Sequence, residues 1–420
     1  MKILHTVESY LPRRHGMQEV VTQLSERLAR MGHEVIVATS YDPDRRDDVI
    51  NGVRIADFKV SGNLVKGIEG ELDNYQTFLR NSEFDIVTNF AAQQWATDGM
   101  ITILNEVSGK KVFVPTGFSA LNSREYDGYF SKMKGWMNQY DMNVFPSNDY
   151  QDIQFAREGG VSKIAVIPNG ASEDEFLTPS NIDIRSILGI GGNCFLILHV
   201  GSYSGIKGHR EAVEIFRRAR IRNACLLLVG SNKAFLRSFA PSEYARYFLH
   251  PIDRGYLHKR VVAKRFKREQ TVAAFQQADL FLFPSNIECS PIVFFECMAS
   301  RTPFLTSDVG NAKEIIEWSN GAGLLLPTRK DERGYSHAGV KESARILEDC
   351  FHHPKKLKEM AENGFNQWGR RFTWERIAGD YEELYRALLK QCESFENPVA
   401  PESGDPDYRP SVDSAGRSTV

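Results

Sequence analysis

One pattern occurs twice along this chain: a short apolar strand, a glycine-containing loop, a helix and a second strand. The first copy begins at residues 2–7 (KILHTV) and the second at residues 194–200 (CFLILHV). Strands that are apolar over nearly their whole length are typical of a parallel sheet covered by helices on both faces. The repetition therefore predicts an α/β protein with two Rossmann-like, doubly wound domains, which bind ligands beyond the carboxyl ends of their strands.

The start of the second copy places the domain boundary between residues 178 and 192, after the segment 167–170 (IPNG). We assign residues 1–178 to the first domain and residues 179–372 to the second. The amphipathic segment 373–392 is expected to be a helix that returns to the first domain. Residues 393–420 are rich in Pro, Ser and Asp and lack apolar periodicity, so we expect a disordered tail.

The bulk composition narrows the class of protein. The 420 residues carry a formal net charge of −2, which argues against general nucleic-acid binding. The six cysteines show neither zinc-ligand spacing nor a disulfide framework. No run approaches the ~18 apolar residues of a membrane span, and the first strand is too short for a signal peptide. We therefore expect a soluble protein of the cytoplasm.

Residues 284–296 (PSNIECSPIVFFE) carry the most chemistry. An apolar strand ends at their start, Ser290 is a favourable N-cap, and Pro291 suits the first position of a helix. Glu288 therefore falls in the strand-to-helix loop, and Glu296 falls inside the apolar helix, where a carboxylate needs a partner. A helix N-terminus beside two carboxylates suits a ligand with a phosphate and several hydroxyls, such as a nucleotide-sugar.

Two other positions are candidates for phosphate binding. Lys207 ends the glycine-containing loop 201–208, where it could meet a diphosphate or remain a solvated lysine. Gly16 lies between the first strand and the first helix, where it could admit a phosphate or simply form a turn. The basic run 258–268 could contact anionic lipid or a phosphate-bearing acceptor, but a solvated loop and helix face is the favoured interpretation.

With these motifs in place, residues 1–392 resemble the retaining GT-B glycosyltransferases of the large bacterial group 1, also called family 4. The resemblance rests on matches in the family's order at residues 12–35, 167–176, 201–208 and 284–310. It implies a GT-B fold, in which two Rossmann-like domains face a cleft. The second domain would bind the nucleotide-sugar, and the first would lie on the acceptor side.

The resemblance also implies a role for individual residues. Lys207 and the helix N-terminus would neutralise the leaving diphosphate without a metal ion or another cofactor. Glu288 would hold hydroxyls of the donor sugar, Glu296 those of the ribose, and Gly16 would let the first domain close on the phosphates. Lys207 and Glu288 would be the catalytic pair. The donor-binding residues are thus Gly16, Ser202, Lys207, Glu288, Ile292, Val293 and Glu296.

The sequence departs from the family at two of its polar positions. Ser202 stands where the family usually has an arginine, so Lys207 would carry more of the diphosphate charge unless Arg210 substitutes. Thr116 stands where many members have a histidine that touches the donor sugar. The nucleobase of the donor, uracil or guanine, stays open.

The activity implied is transfer of a sugar from a UDP- or GDP-sugar to a glycan or lipid-linked acceptor, with retention of anomeric configuration. Biosynthesis of surface polysaccharide or lipopolysaccharide is the implied role. One alternative is a catalytically silent GT-B protein that binds a partner transferase, which Ser202 and Thr116 favour; the other is a GT-B sugar epimerase. The candidates for peripheral contact with the inner face of the cell membrane are Arg13, Arg14, Lys132, Lys134 and Trp136, of which Arg14 lies outside the residues that the structure describes.

Overall fold

The protein is described here by a computed structural model that covers residues 1–13, 16–230 and 258–390, and the backbone of residues 412–414. It divides into two compact units. Unit 1 comprises Met1–Asn169 and Trp374–Val420, and unit 2 comprises Gly170–Thr373. The predicted disordered tail, 393–420, lies outside the described residues except for Val412–Ser414. No helix in the described ranges is long and apolar enough to cross a membrane.

The elements are numbered along the described chain. The strands are β1 (Lys2–Thr6), β2 (Glu34–Ser40), β3 (Val49–Ile50), β4 (Val53–Phe58), β5 (Val60–Asn63), β6 (Gly67–Gly70), β7 (Ile86–Phe90), β8 (Lys110–Val114), β9 (Met142–Phe145), β10 (Lys163–Val166), β11 (Phe195–Val200), β12 (Ala224–Val229), β13 (Lys259–Lys264), β14 (Leu280–Phe283), β15 (Phe304–Thr306), β16 (Gly323–Leu325), β17 (Thr328–Lys330), β18 (Ser336–Ala338) and β19 (Val412–Ser414). The α-helices are α1 (Gly16–Arg30), α2 (Leu72–Asn81), α3 (Trp95–Ile101), α4 (Asp127–Gln139), α5 (Gln151–Glu158), α6 (Glu173–Phe176), α7 (Ile184–Leu188), α8 (His209–Arg218), α9 (Arg268–Gln277), α10 (Ile292–Ala299), α11 (Ala312–Trp318), α12 (Val340–His352), α13 (Pro354–Gln367) and α14 (Trp374–Lys390). Short 3₁₀ turns lie at Leu104–Glu106 and Arg124–Tyr126, and a π-helical turn lies at Trp368–Phe372.

Unit 1 is built on a nine-stranded sheet in the order β19-β10-β9-β8-β7-β1-β2-β4-β3. Its strands run parallel except at the two edges, where β19 and β3 are antiparallel to their neighbours. Helix α14 packs against α1 and against the turn that follows it. The Arg27 Nε atom in α1 lies 3.6 Å from Glu375 Oε2, and the His33 Nε2 atom in the turn lies 2.9 Å from Glu382 Oε1. The last helix therefore belongs to unit 1, as the sequence predicts for the returning segment.

Unit 2 is built on a six-stranded, fully parallel sheet in the order β13-β12-β11-β14-β15-β16. Strand β14 shows how its apolar residues fill both faces. Phe281 and Phe283 pack into one hydrophobic cluster, whereas Leu280 and Leu282 pack into the cluster on the other face. This period of two, apolar on both faces, confirms the prediction of a parallel sheet covered on both sides. Full burial of each such side chain contributes about 1.5–3 kcal/mol.

The change from unit 1 to unit 2 falls at Gly170, earlier than the boundary predicted after residue 178. The intervening residues pack into unit 2. The Phe176 ring lies 6.1 Å from the Phe275 ring, and the backbone N–H of Ala171 donates to the carbonyl of Phe372. Local sequence does not show which core residues 170–178 join, because these contacts are made with residues distant in the chain.

Two helix starts also differ from their predictions. Helix α10 begins at Ile292, with Pro291 rather than Ser290 at the N-cap. Pro291 has an extended backbone (ψ 117°), so the chain turns into the helix one residue later than the capping signal indicates. Gly16 is the first residue of α1 rather than a loop residue.

Candidate active site

Three loops of unit 2 meet around Glu288. They follow β11, β14 and β15, which are neighbours in the sheet, so the loops lie together at its carboxyl edge. The backbone N–H of Asn286 donates to the carbonyl of Ile206 at 2.9 Å. The N–H of Asn311 donates to the carbonyl of Cys289, also at 2.9 Å. The loop that carries Glu288 is therefore held from both sides by backbone hydrogen bonds.

Two glycines make this close approach possible. Gly208 and Gly310 have positive φ angles of 69° and 56°, a conformation that favours glycine. A Cβ atom on Gly208 would lie 1.9 Å from the carbonyl oxygen of Pro284, and one on Gly310 would lie 2.2 Å from that of Cys289. Both positions therefore require glycine, because any side chain would collide with the backbone of the Glu288 loop.

This packing predicts different outcomes for two alanine substitutions in the same loop. Gly205 also has a positive φ, 82°, but a Cβ there would meet nothing within 4 Å. We expect Gly205→Ala to cost only the backbone strain of about 1–2 kcal/mol. Gly208→Ala must in addition push the loop away from Pro284, so it should cost more than about 3 kcal/mol and weaken nucleotide binding. Urea unfolding of both variants tests this; equal losses of stability would contradict it.

Lys207 and Glu288 form an ion pair at the centre of the site. The Lys207 Nζ atom lies 2.6 Å from Glu288 Oε1, and the hydroxyl of Ser285 donates to the same oxygen at 2.8 Å. Only 11% of the Glu288 side chain and 26% of the Lys207 side chain are exposed. The two predicted catalytic residues, distant in sequence, thus lie together, and Lys207 also retains some access to solvent.

The N-terminus of α10 follows the Glu288 loop directly. The first N–H groups of a helix lack intrahelical acceptors, and Pro291 at the N-cap supplies no side-chain hydrogen bond. The Ile292 and Val293 residues are half-buried at this end. Their N–H groups and the helix dipole make this terminus suited to bind an anion.

Glu296 lies in the second turn of α10 and has the partner that its burial requires. Its Oε1 atom accepts a hydrogen bond from Arg268 Nη1 at 2.6 Å, and only 5% of its side chain is exposed. The other edge of the Arg268 guanidinium pairs with Glu175. Sequence reasoning missed Arg268 because it placed the whole basic run 258–268 on a solvated face.

That interpretation of the basic run was wrong for much of its length. Residues Lys259–Lys264 form β13 within the parallel sheet. Lys259 is only 1% exposed, and its ammonium donates to the carbonyl of Ala219 at 2.7 Å and to that of Phe216 at the end of α8. Burial lowers the pKa of Lys259 to about 8. The β-branched pair Val261 and Val262 inside the run could have signalled a strand.

Two buried histidines underlie the loop that carries Lys207. His199, at the end of β11, and His209, at the start of α8, have ring centroids 4.3 Å apart. The Nδ1 atom of His199 bonds to the carbonyl of Leu282 at 2.8 Å. Burial, with a smaller contribution from the charge of Lys207, lowers the pKa of His199 to about 4. Burial, with smaller contributions from His199 and Lys207, lowers the pKa of His209 to about 2. Both rings are therefore neutral at pH 7.

The remaining predicted residues are placed as follows. Ser202 is exposed near the start of the loop 201–208 in unit 2. Arg210 is exposed in the first turn of α8. Gly16 lies in unit 1, where a Cβ atom would meet nothing within 4 Å. Its surroundings in unit 1 therefore do not require glycine, and its proposed contact with phosphates stays a prediction.

Unit 1 has strained backbone at the carboxyl edge of its sheet. Four non-glycine residues in the loops after the adjacent strands β7 and β8 have positive φ, at a typical cost of about 1–3 kcal/mol each. Hydrogen bonds hold these loops: the Gly117 N–H donates to buried Asp152 at 2.7 Å, and the Gln93 N–H donates to the Tyr129 hydroxyl at 3.1 Å. Such strain often marks a binding edge. The residues are Ala91 (63°), Gln93 (63°), Thr116 (61°) and Phe118 (49°).

Among the residues that the structure describes, no group of three His, Cys, Asp or Glu side chains could hold a metal ion. The expectation that the diphosphate is neutralised by the protein alone stays a prediction. Two positive groups that the structure places at this edge of unit 2 are Lys207 and the N-terminus of α10.

The chain matches two protein-family models in succession. Residues 180–367 match the model "Glycosyl transferases group 1", and residues 14–175 match "Glycosyltransferase Family 4". The chain is similar to N-acetyl-alpha-D-glucosaminyl L-malate synthase of Bacillus anthracis, with 21% identity over 89% of this chain and 94% of that protein.

Two solved structures share the fold. One is sucrose-phosphate synthase from Thermosynechococcus elongatus, with a TM-score of 0.71 and 18% identity over 93% of this chain and 100% of that one. The other is Anabaena HepE in complex with UDP and glucose, with a TM-score of 0.68 and 15% identity over 92% of this chain and 100% of that one. Two Rossmann-like units with these neighbours define a protein of the GT-B class. The family matches place it within that class: the chain is a group 1 glycosyltransferase, an enzyme that uses a nucleotide-sugar donor.

Proposed function

We propose that the enzyme transfers a hexose from a UDP- or GDP-sugar to a glycan or lipid-linked acceptor, with retention of anomeric configuration and without a metal ion. The observation that carries this proposal is the Lys207–Glu288 pair beside the N-terminus of α10. A cation and a helix end suit a diphosphate, and a carboxylate held at the same place suits sugar hydroxyls. Biosynthesis of surface polysaccharide or lipopolysaccharide is the proposed role, in the cytoplasm or at the inner face of the membrane.

The proposed reaction needs no protein base. The acceptor oxygen forms a bond to the anomeric carbon on the face from which the diphosphate departs. The bond between the anomeric carbon and the phosphate oxygen breaks, and its electron pair stays on that oxygen. The same oxygen takes the proton of the acceptor hydroxyl, so the products are the glycoside and a protonated nucleoside diphosphate. Lys207 and the N–H groups of Ile292 and Val293 stabilise the charge that develops on the diphosphate.

The strained loops of unit 1 support an acceptor site on that unit. Gln93 and Thr116 are half-buried and lie at the carboxyl edge of neighbouring parallel strands. Their side chains offer neutral amide and hydroxyl groups, which bind sugar hydroxyls by hydrogen bonds.

The test combines nucleotide binding with product analysis. UDP or GDP at a hundredfold over its Kd should stabilise the native protein by about 2.7 kcal/mol. A panel of UDP- and GDP-sugars should then reveal one donor whose nucleoside diphosphate is released faster when an acceptor is present, and NMR of the product should show the donor's anomeric configuration. Binding of neither nucleotide would favour the silent partner protein. Release that no acceptor accelerates, with an epimerised sugar as product, would favour the epimerase.

A further inference from the structure

We infer that Arg268 is a positioning residue for nucleotide recognition: it holds the Glu296 carboxylate in the orientation that accepts the ribose hydroxyls. The inference deepens the proposed function and rests on it, because it requires a nucleotide at this site. It assigns a purpose to a residue outside the motifs that carry the family resemblance.

The Arg268 guanidinium donates hydrogen bonds from both of its edges, one to Glu296 and the other to Glu175. Nη1 donates to Glu296 at 2.6 Å, whereas Nε and Nη2 donate to the two oxygens of Glu175 at 2.9 and 2.5 Å. The Arg268 guanidinium also lies over the Phe176 ring, 5.7 Å from its centroid. A planar, two-edged donor with an aromatic ring beneath it has little rotational freedom. The Glu296 carboxylate is therefore held against a rigid partner.

Glu296 needs such a partner because of its surroundings. Its side chain is 5% exposed, on a helix whose neighbouring residues Phe294, Phe295 and Cys297 are fully buried. A buried carboxylate without compensation would be costly. An ionised carboxylate offers about four lone-pair positions, so it can accept from Arg268 and from ribose hydroxyls at the same time.

Glu175 fixes the orientation of the Arg268 guanidinium. It lies in α6, close to the point where the chain enters unit 2 at Gly170, and its side chain is 22% exposed. The bidentate pair with Glu175 orients the guanidinium, and the remaining Nη1 then orients Glu296. A purely structural ion network would use the same contacts, so the test must separate recognition of ribose from stability.

The deciding measurement is the preference for a ribose over a sugar without hydroxyls. Kd values are measured by calorimetry for the wild-type protein and Arg268→Met, with UDP and 2′,3′-dideoxy-UDP, and with the matching guanine pair. We expect the wild-type protein to prefer the ribonucleotide by roughly 10-fold or more. Arg268→Met should lose most of that preference through weaker binding of the ribonucleotide, while the dideoxy compound binds nearly as before.

Arg301→Met is the matched control. Arg301 also pairs with a glutamate, Glu362 at 3.4 Å, and stacks on a ring, Phe365 at 3.3 Å, but it follows the opposite end of α10. Its substitution should leave the ribose preference unchanged. Glu296→Gln should lose the preference as Arg268→Met does, and the double variant should lose no more than either single variant.

Several outcomes would overturn the inference. It is wrong if Arg268→Met keeps the ribose preference, if it weakens both nucleotides equally, or if the wild-type protein shows no preference. Should Arg268→Met not fold, Arg268→Lys is the deciding variant. Lysine keeps the positive charge but has a single ammonium in place of the planar, two-edged guanidinium, so we expect a ribose preference between that of the wild-type protein and none. Failure of the wild-type protein to bind any nucleotide would instead refute the proposed function, which makes the two failures distinguishable.

Discussion

Lys207→Ala is expected to lower kcat by about two to three orders of magnitude while leaving the fold intact. Removal of one preorganised donor to a developing negative charge typically costs this much. The effect should be large here because Ser202 stands where the family usually has a second cation, and the Ser202 hydroxyl carries no charge. Lys207 is 26% exposed, so its truncation leaves no large cavity. Steady-state kinetics with the identified donor measures the effect.

Lys341→Ala is the control, since Lys341 is exposed in the first turn of α12 and its substitution should leave kcat unchanged.

A second variant tests the ion pair between Lys207 and Glu288. Glu288→Gln removes the carboxylate that lies 2.6 Å from Lys207, so the diphosphate no longer competes with it for the ammonium. Free nucleoside diphosphate should bind more tightly to Glu288→Gln, although turnover falls because the sugar loses a charged hydrogen-bond acceptor. A Lys207→Ala enzyme with near-normal kcat would refute the assignment of charge neutralisation to this lysine.

The fold could be predicted in most of its core from local pattern. Strands such as β12 and β14 are apolar runs bounded by turn residues, and their period-two packing on both faces is a direct consequence of that composition. Helix α14 followed from its amphipathic spacing. The boundary at Gly170 could not be placed in this way, because it depends on which core Phe176 joins, and that contact is made with a residue far along the chain.

The site was predictable where the chemistry is local. The positions of Glu288 and Glu296 relative to the strand and the helix follow from the linear sequence. That Lys207 reaches Glu288 depends on the adjacency of β11 and β14 in the sheet. The role of Arg268 was hidden because a basic run in sequence gives no sign of which side chains point into the protein. Glu288 and Glu296 each pair with a cationic side chain, Lys207 and Arg268, but the identity of that partner is fixed only by tertiary packing.

The buried histidines predict that unit 2 loses stability in mild acid. The folded pKa values of His199 (about 4) and His209 (about 2) lie below the unfolded value of 6.5. Between these values the unfolded chain binds more protons, so their contribution is fully present above pH ~6.5 and falls as the pH drops. At pH 5 each histidine should cost about 2 kcal/mol relative to pH 7, or about 4 kcal/mol together. Because both rings underlie the loop of Lys207, nucleotide affinity should fall in the same window.

Unit 1 should respond differently to the same change. Burial raises the pKa of Asp98, Asp152 and Asp380 to about 6, above the unfolded value of 3.8. These folded carboxyls take up protons between pH 6 and 4, which stabilises unit 1 as the pH falls and offsets the loss from His5, whose pKa is about 3. Lowering the pH from 7 to 5 should therefore reduce the stability of unit 2 and leave unit 1 about as stable as before.

Hydrogen exchange followed by mass spectrometry, corrected for the intrinsic pH dependence of exchange, resolves the two units in one experiment. Peptides from β11, α8 and β14 should lose protection between pH 7 and pH 5, whereas those from β7 and β8 should not. His209→Asn removes one of the two titrating groups, so it should reduce the pH-dependent part of the loss by about 2 kcal/mol, whatever the substitution costs at pH 7. An unchanged pH dependence in this variant, or equal loss of protection in both units, would show that other groups control the acid response.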